Sequence, residues 1–64
     1  MKVIDIISLG AENLIYIITD GSPRGEWRGT RQDFIREMSA FFLLFYRTVI
    51  KIEIGAPDVL ILHI

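Results

Sequence analysis

The chain has no cysteine, one histidine and two lysines among its 64 residues. Without cysteine there are no disulfides, no thiolate zinc sites and no thiol nucleophile. No apolar stretch approaches the roughly 20 residues of a membrane-spanning helix. The formal net charge of -1 gives no overall positive field to recruit nucleic acid. The sequence therefore predicts a cytoplasmic protein with no cofactor and no membrane association.

Length and composition predict one small domain that spans residues 1–64. Hydrophobic residues make up 52% of the chain and charged residues 23%, which is typical of a globular protein and not of a disordered one. Domains near this size bury a small core, and many depend on staples or on oligomerisation. Because disulfides are excluded, oligomerisation becomes the expected route to stability.

Four segments rich in β-branched residues predict two β-hairpins. The first would join residues 2–9 to residues 14–19 through a connection that contains Gly10 and Asn13. The second would join residues 49–54 to residues 59–64 through a turn that contains Pro57, which has no N–H group to donate to a sheet.

Between the two hairpins the sequence predicts one helix. Thr30 and Asp33 have the spacing of a capping box, and Asp33 is placed to pair with Arg36 one turn later. At 100° per residue an apolar stripe follows, which predicts a helix packed on a core and ending near Arg47 or Thr48. The stripe contains Phe34, Ile35, Met38, Phe41, Phe42, Phe45 and Tyr46.

The predicted fold is therefore α+β in the order ββαββ, with a four-stranded, mostly antiparallel sheet and one helix packed on one face. Two wholly antiparallel strand orders, 2-1-3-4 and 1-2-4-3, fit this element order equally well.

One helix covers only one face of such a sheet, yet both faces of most predicted strands are apolar. Two leucines also project away from the helix stripe. Exposed apolar patches of this kind tend to mark partner surfaces, so we expect a homo-oligomer, with a dimer as first choice. The candidate interface residues are Ile7, Ile15, Ile17, Leu43 and Leu44.

A second candidate site is the arginine-rich segment 24–31, which leads into the predicted helix. Arg24, Arg28 and Arg31 would recognise phosphate or carboxylate, and Trp27 would stack on a base. The alternative is that Trp27 folds back over the edge of the core while the arginines are solvated.

The sequence predicts no catalytic residue and no metal ligands. His63, the single histidine, lies within an apolar segment, and the carboxylates have no ligand spacing. We therefore expect a non-catalytic protein–protein interaction module that acts as an assembly, inhibitory or scaffolding subunit, with a macromolecular protein as a further partner. The alternative is a small nucleic-acid-binding regulator that uses segment 24–31 of a dimer.

Overall fold

The computed structural model describes residues 1–22 and 27–64. Three short helices pack with a four-stranded sheet, so the α+β class is confirmed. The element order, however, is αββααββ and not ββαββ. The elements are α1 (Val3–Leu9), β1 (Ile15–Thr19), β2 (Trp27–Thr30), α2 (Arg31–Glu37), α3 (Phe42–Phe45), β3 (Lys51–Ala56) and β4 (Val59–His63).

The sheet has the strand order β2-β1-β4-β3, with β1 and β4 at its centre. These two strands run parallel, from Ile15 opposite Val59 to Thr19 opposite His63. The outer pairs, β1 with β2 and β4 with β3, are antiparallel. The sheet is thus mixed, and both wholly antiparallel orders expected from the sequence are wrong. They assumed a strand at residues 2–9, whereas the fourth strand is residues 27–30.

Residues 3–9 form a helix and not the predicted strand. Their apolar spacing fits either structure, because Val3 and Ile7 are four residues apart and lie on one helical face, where both are fully buried. The Lys2 N–H donates to the Asp5 carboxylate over 3.0 Å, which satisfies one free amide at the helix start. Burial of this face outweighs the modest helix propensity of β-branched residues.

The strand that the sequence did not reveal, β2, is short and interrupted by a glycine. Trp27 and Gly29 are buried and Arg28 is exposed, as expected for alternate residues of a strand. A Cβ at Gly29 would lie 2.9 Å from the Asp33 Cβ and 3.0 Å from the Trp27 ring. Only glycine therefore lets α2 fold back so closely onto this strand.

The single predicted helix is broken into two. α2 ends at Glu37, a turn follows, and α3 covers Phe42–Phe45. In one continuous helix Phe34 and Phe45 would lie about 16 Å apart along the axis. In the structure their ring centroids are 4.7 Å apart. The break thus brings both rings into one core.

All three helices pack against the same face of the sheet. The core contains Val3, Ile7, Tyr16, Ile18, Trp27, Phe34, Phe45 and Leu62. No described helix covers the opposite side, which we call the open face, where Ile15 and Ile17 lie beside Val59 and Ile61. Among the residues described, no helix has the length and apolar character needed to cross a membrane.

The second predicted hairpin is confirmed as β3 and β4. Pro57 and Asp58 form its turn, and the pairing shifts by one residue between Ile54 and Ala56. β3 lies at the edge of the sheet, and all of its residues except Ala56 are exposed. The hairpin thus presents its outer strand to solvent.

If residues 3–9 form a helix, truncating Ile7 and truncating Leu9 should have different effects on stability, whereas in a strand the two effects would be similar. Residues 7 and 9 would share one face of a strand, but Ile7 is fully buried in α1 and Leu9 is 84% exposed. We expect Ile7→Ala to cost about 2–5 kcal/mol of unfolding free energy. The matched change Leu9→Ala should cost about 0.5 kcal/mol or less. Urea unfolding followed by circular dichroism measures both, and equal losses would contradict the helix.

Candidate functional site

The arginine-rich segment is not one continuous loop. Arg24 lies outside the described residues, so its predicted role has no structural description. Trp27 and Arg28 belong to β2, and Arg31 is the first residue of α2. Two of the four candidate residues are therefore fixed in a strand of the sheet.

Trp27 is a core residue. Its side chain is 6% exposed, and its ring meets the Phe45 ring edge-on at 5.3 Å and 89°. An indole held in this way has no free face for a base, so the prediction that Trp27 stacks on nucleic acid is wrong. The alternative expectation, that Trp27 folds back over the edge of the core, agrees with this position.

The two described arginines of the segment lie in different surroundings. Arg28 is exposed on the open face opposite Ile17. Arg31 is half-buried, with Nη1 3.9 Å from Oε1 of Glu12, and its Nε is buried without a hydrogen-bond partner among the described residues. Beside Arg31 lies a pocket of about 350 Å³ lined by Glu12, Thr30, Arg31, Gln32 and Ile35. Among the described residues of this lining, Glu12 and Arg31 are the only charged ones and have opposite signs, so the lining carries no net charge.

The start of α2 is satisfied from within the chain. The Asp33 N–H donates to Thr30 Oγ1 over 3.2 Å, and the Thr30 N–H donates to Asp33 Oδ2 over 2.9 Å. This confirms the capping box, and the Asp33–Arg36 ion pair is confirmed as well. The backbone hydrogen bond from Thr30 and then the Thr30 hydroxyl lower the pKa of Asp33, with a further contribution from Arg36.

His63 and Glu53 form a polar pair on the open face. The His63 ring nitrogen Nε2 lies 2.9 Å from Glu53 Oε1. This hydrogen bond, and then the charge of Lys51, lower the pKa of Glu53. No cluster of three or more histidine, aspartate or glutamate side chains that would hold a metal ion is present in residues 1–22 and 27–64. The His63–Glu53 hydrogen bond links β4 to β3 across the hairpin.

The five candidate interface residues divide into three groups. Ile7 is fully buried in the core, so its assignment to an interface is wrong. Ile15 and Ile17 lie on the open face, which no described helix covers, and each is partly exposed. Leu43 is 82% exposed, whereas Leu44 is partly buried and packs against the core.

Two groups of large apolar residues are exposed. Leu43 is their only member among the interface residues predicted from the sequence. The β3 edge strip consists of Ile50, which immediately precedes β3, and of Ile52 and Ile54 within it; they are 77%, 51% and 75% exposed. The α3 patch consists of Phe41, Phe42, Leu43 and Tyr46, which are 39%, 50%, 82% and 41% exposed. The alternation of residues 50–54 was visible in the sequence, but the edge position of the strand depends on the topology.

The burial of Trp27 predicts a stability effect. Trp27→Ala removes a buried ring and should cost about 3–5 kcal/mol of unfolding free energy. Because a domain of this size has little stability to spare, we expect the variant to be largely unfolded. Trp27→Phe keeps an aromatic ring near Phe45 and should remain folded with a lower melting temperature. An unchanged melting temperature for Trp27→Ala would contradict the burial of Trp27 in the core.

The Asp33 cap predicts a pH dependence. The carboxyl pKa is lower in the folded chain than the ordinary value of 3.8, so its stabilisation is present above that value and is lost as the pH falls through the folded-state pKa. Asp33→Asn removes this titration and should flatten the loss of stability below about pH 4. Denaturant midpoints measured from pH 2 to pH 7 test this, and identical profiles for variant and parent would contradict it.

Comparison with known proteins adds no further constraint. No protein-family model, no curated protein and no solved structure matches the chain. The function must therefore be inferred from the surfaces described above.

Proposed function

We propose that this chain is a non-catalytic protein–protein interaction module that self-associates and serves as an assembly, inhibitory or scaffolding subunit. The observation that carries the proposal is the position of its exposed apolar side chains. The β3 edge strip and the α3 patch together contribute seven large apolar side chains, all from residues 41–54. Large apolar side chains that are exposed in groups, as in this strip and this patch, are typical of contact surfaces for another macromolecule.

The small size of the core supports self-association in particular. Only eight hydrophobic residues of the described chain are buried, and together they form the single core cluster. A second copy would remove further apolar surface from water at about 25 cal/mol per Å² and so enlarge a marginal core. As part of this proposal we infer a cytoplasmic location; without cysteine, the stability of the module does not depend on disulfide formation.

The polar groups of the described chain support a non-catalytic role. The single histidine is hydrogen-bonded to Glu53 at the sheet edge, away from the pocket beside Arg31. With Trp27 in the core, the described part of segment 24–31 offers a nucleic acid only two arginines on different elements. The nucleic-acid alternative therefore has no structural observation in its favour.

Size exclusion coupled to light scattering tests the proposal. We expect a mass above the 7.4 kDa of one chain at micromolar concentration, rising with concentration. A mass that remains at 7.4 kDa at the highest soluble concentration would contradict self-association. Leu43→Glu provides a test of the α3 patch, because its exposed side chain is replaced without disturbing the core, and a lower mass would place the patch in the interface.

A further inference from the structure

β3 offers a free strand edge to another chain. It is the longer of the two edge strands, with six residues against four in β2, and no described strand pairs with its outer side. Proteins usually protect such an edge with proline, a bulge or a covering element. Here Pro57 and the pairing irregularity both lie near the turn, and the pairing of residues 1–3 with residues 47–49 ends before the strand begins. Residues 51–54 are therefore regularly paired with β4 and uncovered on their outer side.

The sequence of this edge is symmetric about Ile52. Ile52 lies between Lys51 and Glu53, and these two residues are flanked in turn by Ile50 and Ile54. Since alternate residues point to opposite faces, Ile52 and Ile54 lie on the helix-bearing side and the two charges lie on the open face. An antiparallel copy of this segment therefore matches it in both size and charge.

We propose that two copies of this chain pair antiparallel through β3, about a two-fold axis at Ile52. The proposal rests on the self-association inferred above and specifies its interface. In this pairing Lys51 stands opposite the partner's Glu53, and Glu53 opposite the partner's Lys51. Ile52 meets its own copy, and Ile50 meets the partner's Ile54. A two-fold interface requires such self-complementarity.

The charges select this register over its neighbours. Moving the axis by one residue in either direction places Lys51 opposite its own copy or Glu53 opposite its own copy. Parallel in-register pairing places Lys51 opposite its own copy and Glu53 opposite its own copy. Like charges directly opposite each other destabilise a strand pair, and opposite charges stabilise it. Of these arrangements, only the axis at Ile52 satisfies both charges.

Both charged side chains are accessible for these contacts in the isolated chain. Lys51 forms no salt bridge with any described residue. The Glu53 carboxylate is oriented by its hydrogen bond to His63, and its side chain is 49% exposed. The partner's Lys51 would join this existing pair and form a three-residue polar network on the open face.

The dimer would contain one continuous eight-stranded sheet, with the two β3 strands at its centre. The axis at Ile52 is perpendicular to the sheet, so both sets of helices lie on the same side. The β3 edge strips of the two copies then lie side by side and shield each other from water. This removes both the exposed edge and the exposed isoleucines through one contact.

Charge reversal tests the pairing. Lys51→Glu places like charges opposite each other at two symmetric positions, and we expect it to weaken dimerisation by roughly tenfold or more. Glu53→Lys should do the same. The double change Lys51→Glu with Glu53→Lys restores both opposite pairs and should restore dimerisation. An equimolar mixture of the two single variants should form a heterodimer, because the two acidic positions of one chain then face the two basic positions of the other.

The control for Lys51→Glu is Arg47→Glu, which changes the net charge by the same amount at an exposed position outside the segment and should leave the dimer unchanged. Analytical ultracentrifugation measures all variants, and circular dichroism shows that each is folded. If the wild type associates and Lys51→Glu associates equally well, the interface lies elsewhere and this inference is wrong while self-association stands. If the wild type never associates, both proposals fail.

A cysteine introduced into this cysteine-free chain gives an independent test. Directly opposite residues of antiparallel strands have Cα atoms about 4.5–5.5 Å apart, within the range that a disulfide spans. Ile52→Cys should therefore form a covalent dimer on mild oxidation. Ile54→Cys is the matched control, since its two copies would lie about 13 Å apart along the strands. Equal cross-linking at both positions would overturn the register.

Discussion

Packing around Phe45 is the interaction on which the rest of the structure depends. This fully buried ring contacts Trp27 of β2 at 5.3 Å and Phe34 of α2 at 4.7 Å, both edge-on. It thereby joins a strand, the helix that follows it and the later helix α3 in one aromatic cluster. Edge-on pairs of this kind add roughly 0.5–1.5 kcal/mol to the effect of burial alone. A four-residue helix such as α3 is not stable by itself, so this burial holds it in place.

The sequence predicts those parts of the fold that are set by local chemistry. The cap formed by Thr30 and Asp33 is predicted because its two side chains satisfy backbone groups three residues away. The β3–β4 hairpin is predicted because Pro57 interrupts two β-branched segments. Residues 3–9 fit a strand and a helix equally well, and only the position of Ile7 in the core decides between them. The strand at residues 27–30 has a glycine at its centre, which conceals it from propensity arguments.

The candidate surfaces, like the fold, could be predicted from the sequence only in part. The surplus of apolar residues is evident from composition, and Ile15, Ile17 and Leu43 are indeed accessible. Which members of the surplus are buried depends on helix packing that the sequence does not specify, as Ile7 and Trp27 show. The β3 edge strip is recognised only when the strand order is known, because an alternating segment has the same pattern at the centre of a sheet and at its edge.

The parallel pairing of β1 with β4 has a consequence for how the chain folds. Residues 15–19 can pair with residues 59–63 only after all of residues 20–58 have been synthesised. During synthesis β1 therefore emerges well before its central neighbour, and Tyr16 and Ile18 stay without the cover that Leu62 later provides. Contacts between residues so distant in sequence slow folding, because the entropy of closing a long loop is lost before the contact is gained. The core of this small protein is thus completed only when β4 pairs with β1 and brings Leu62 against Tyr16 and Ile18.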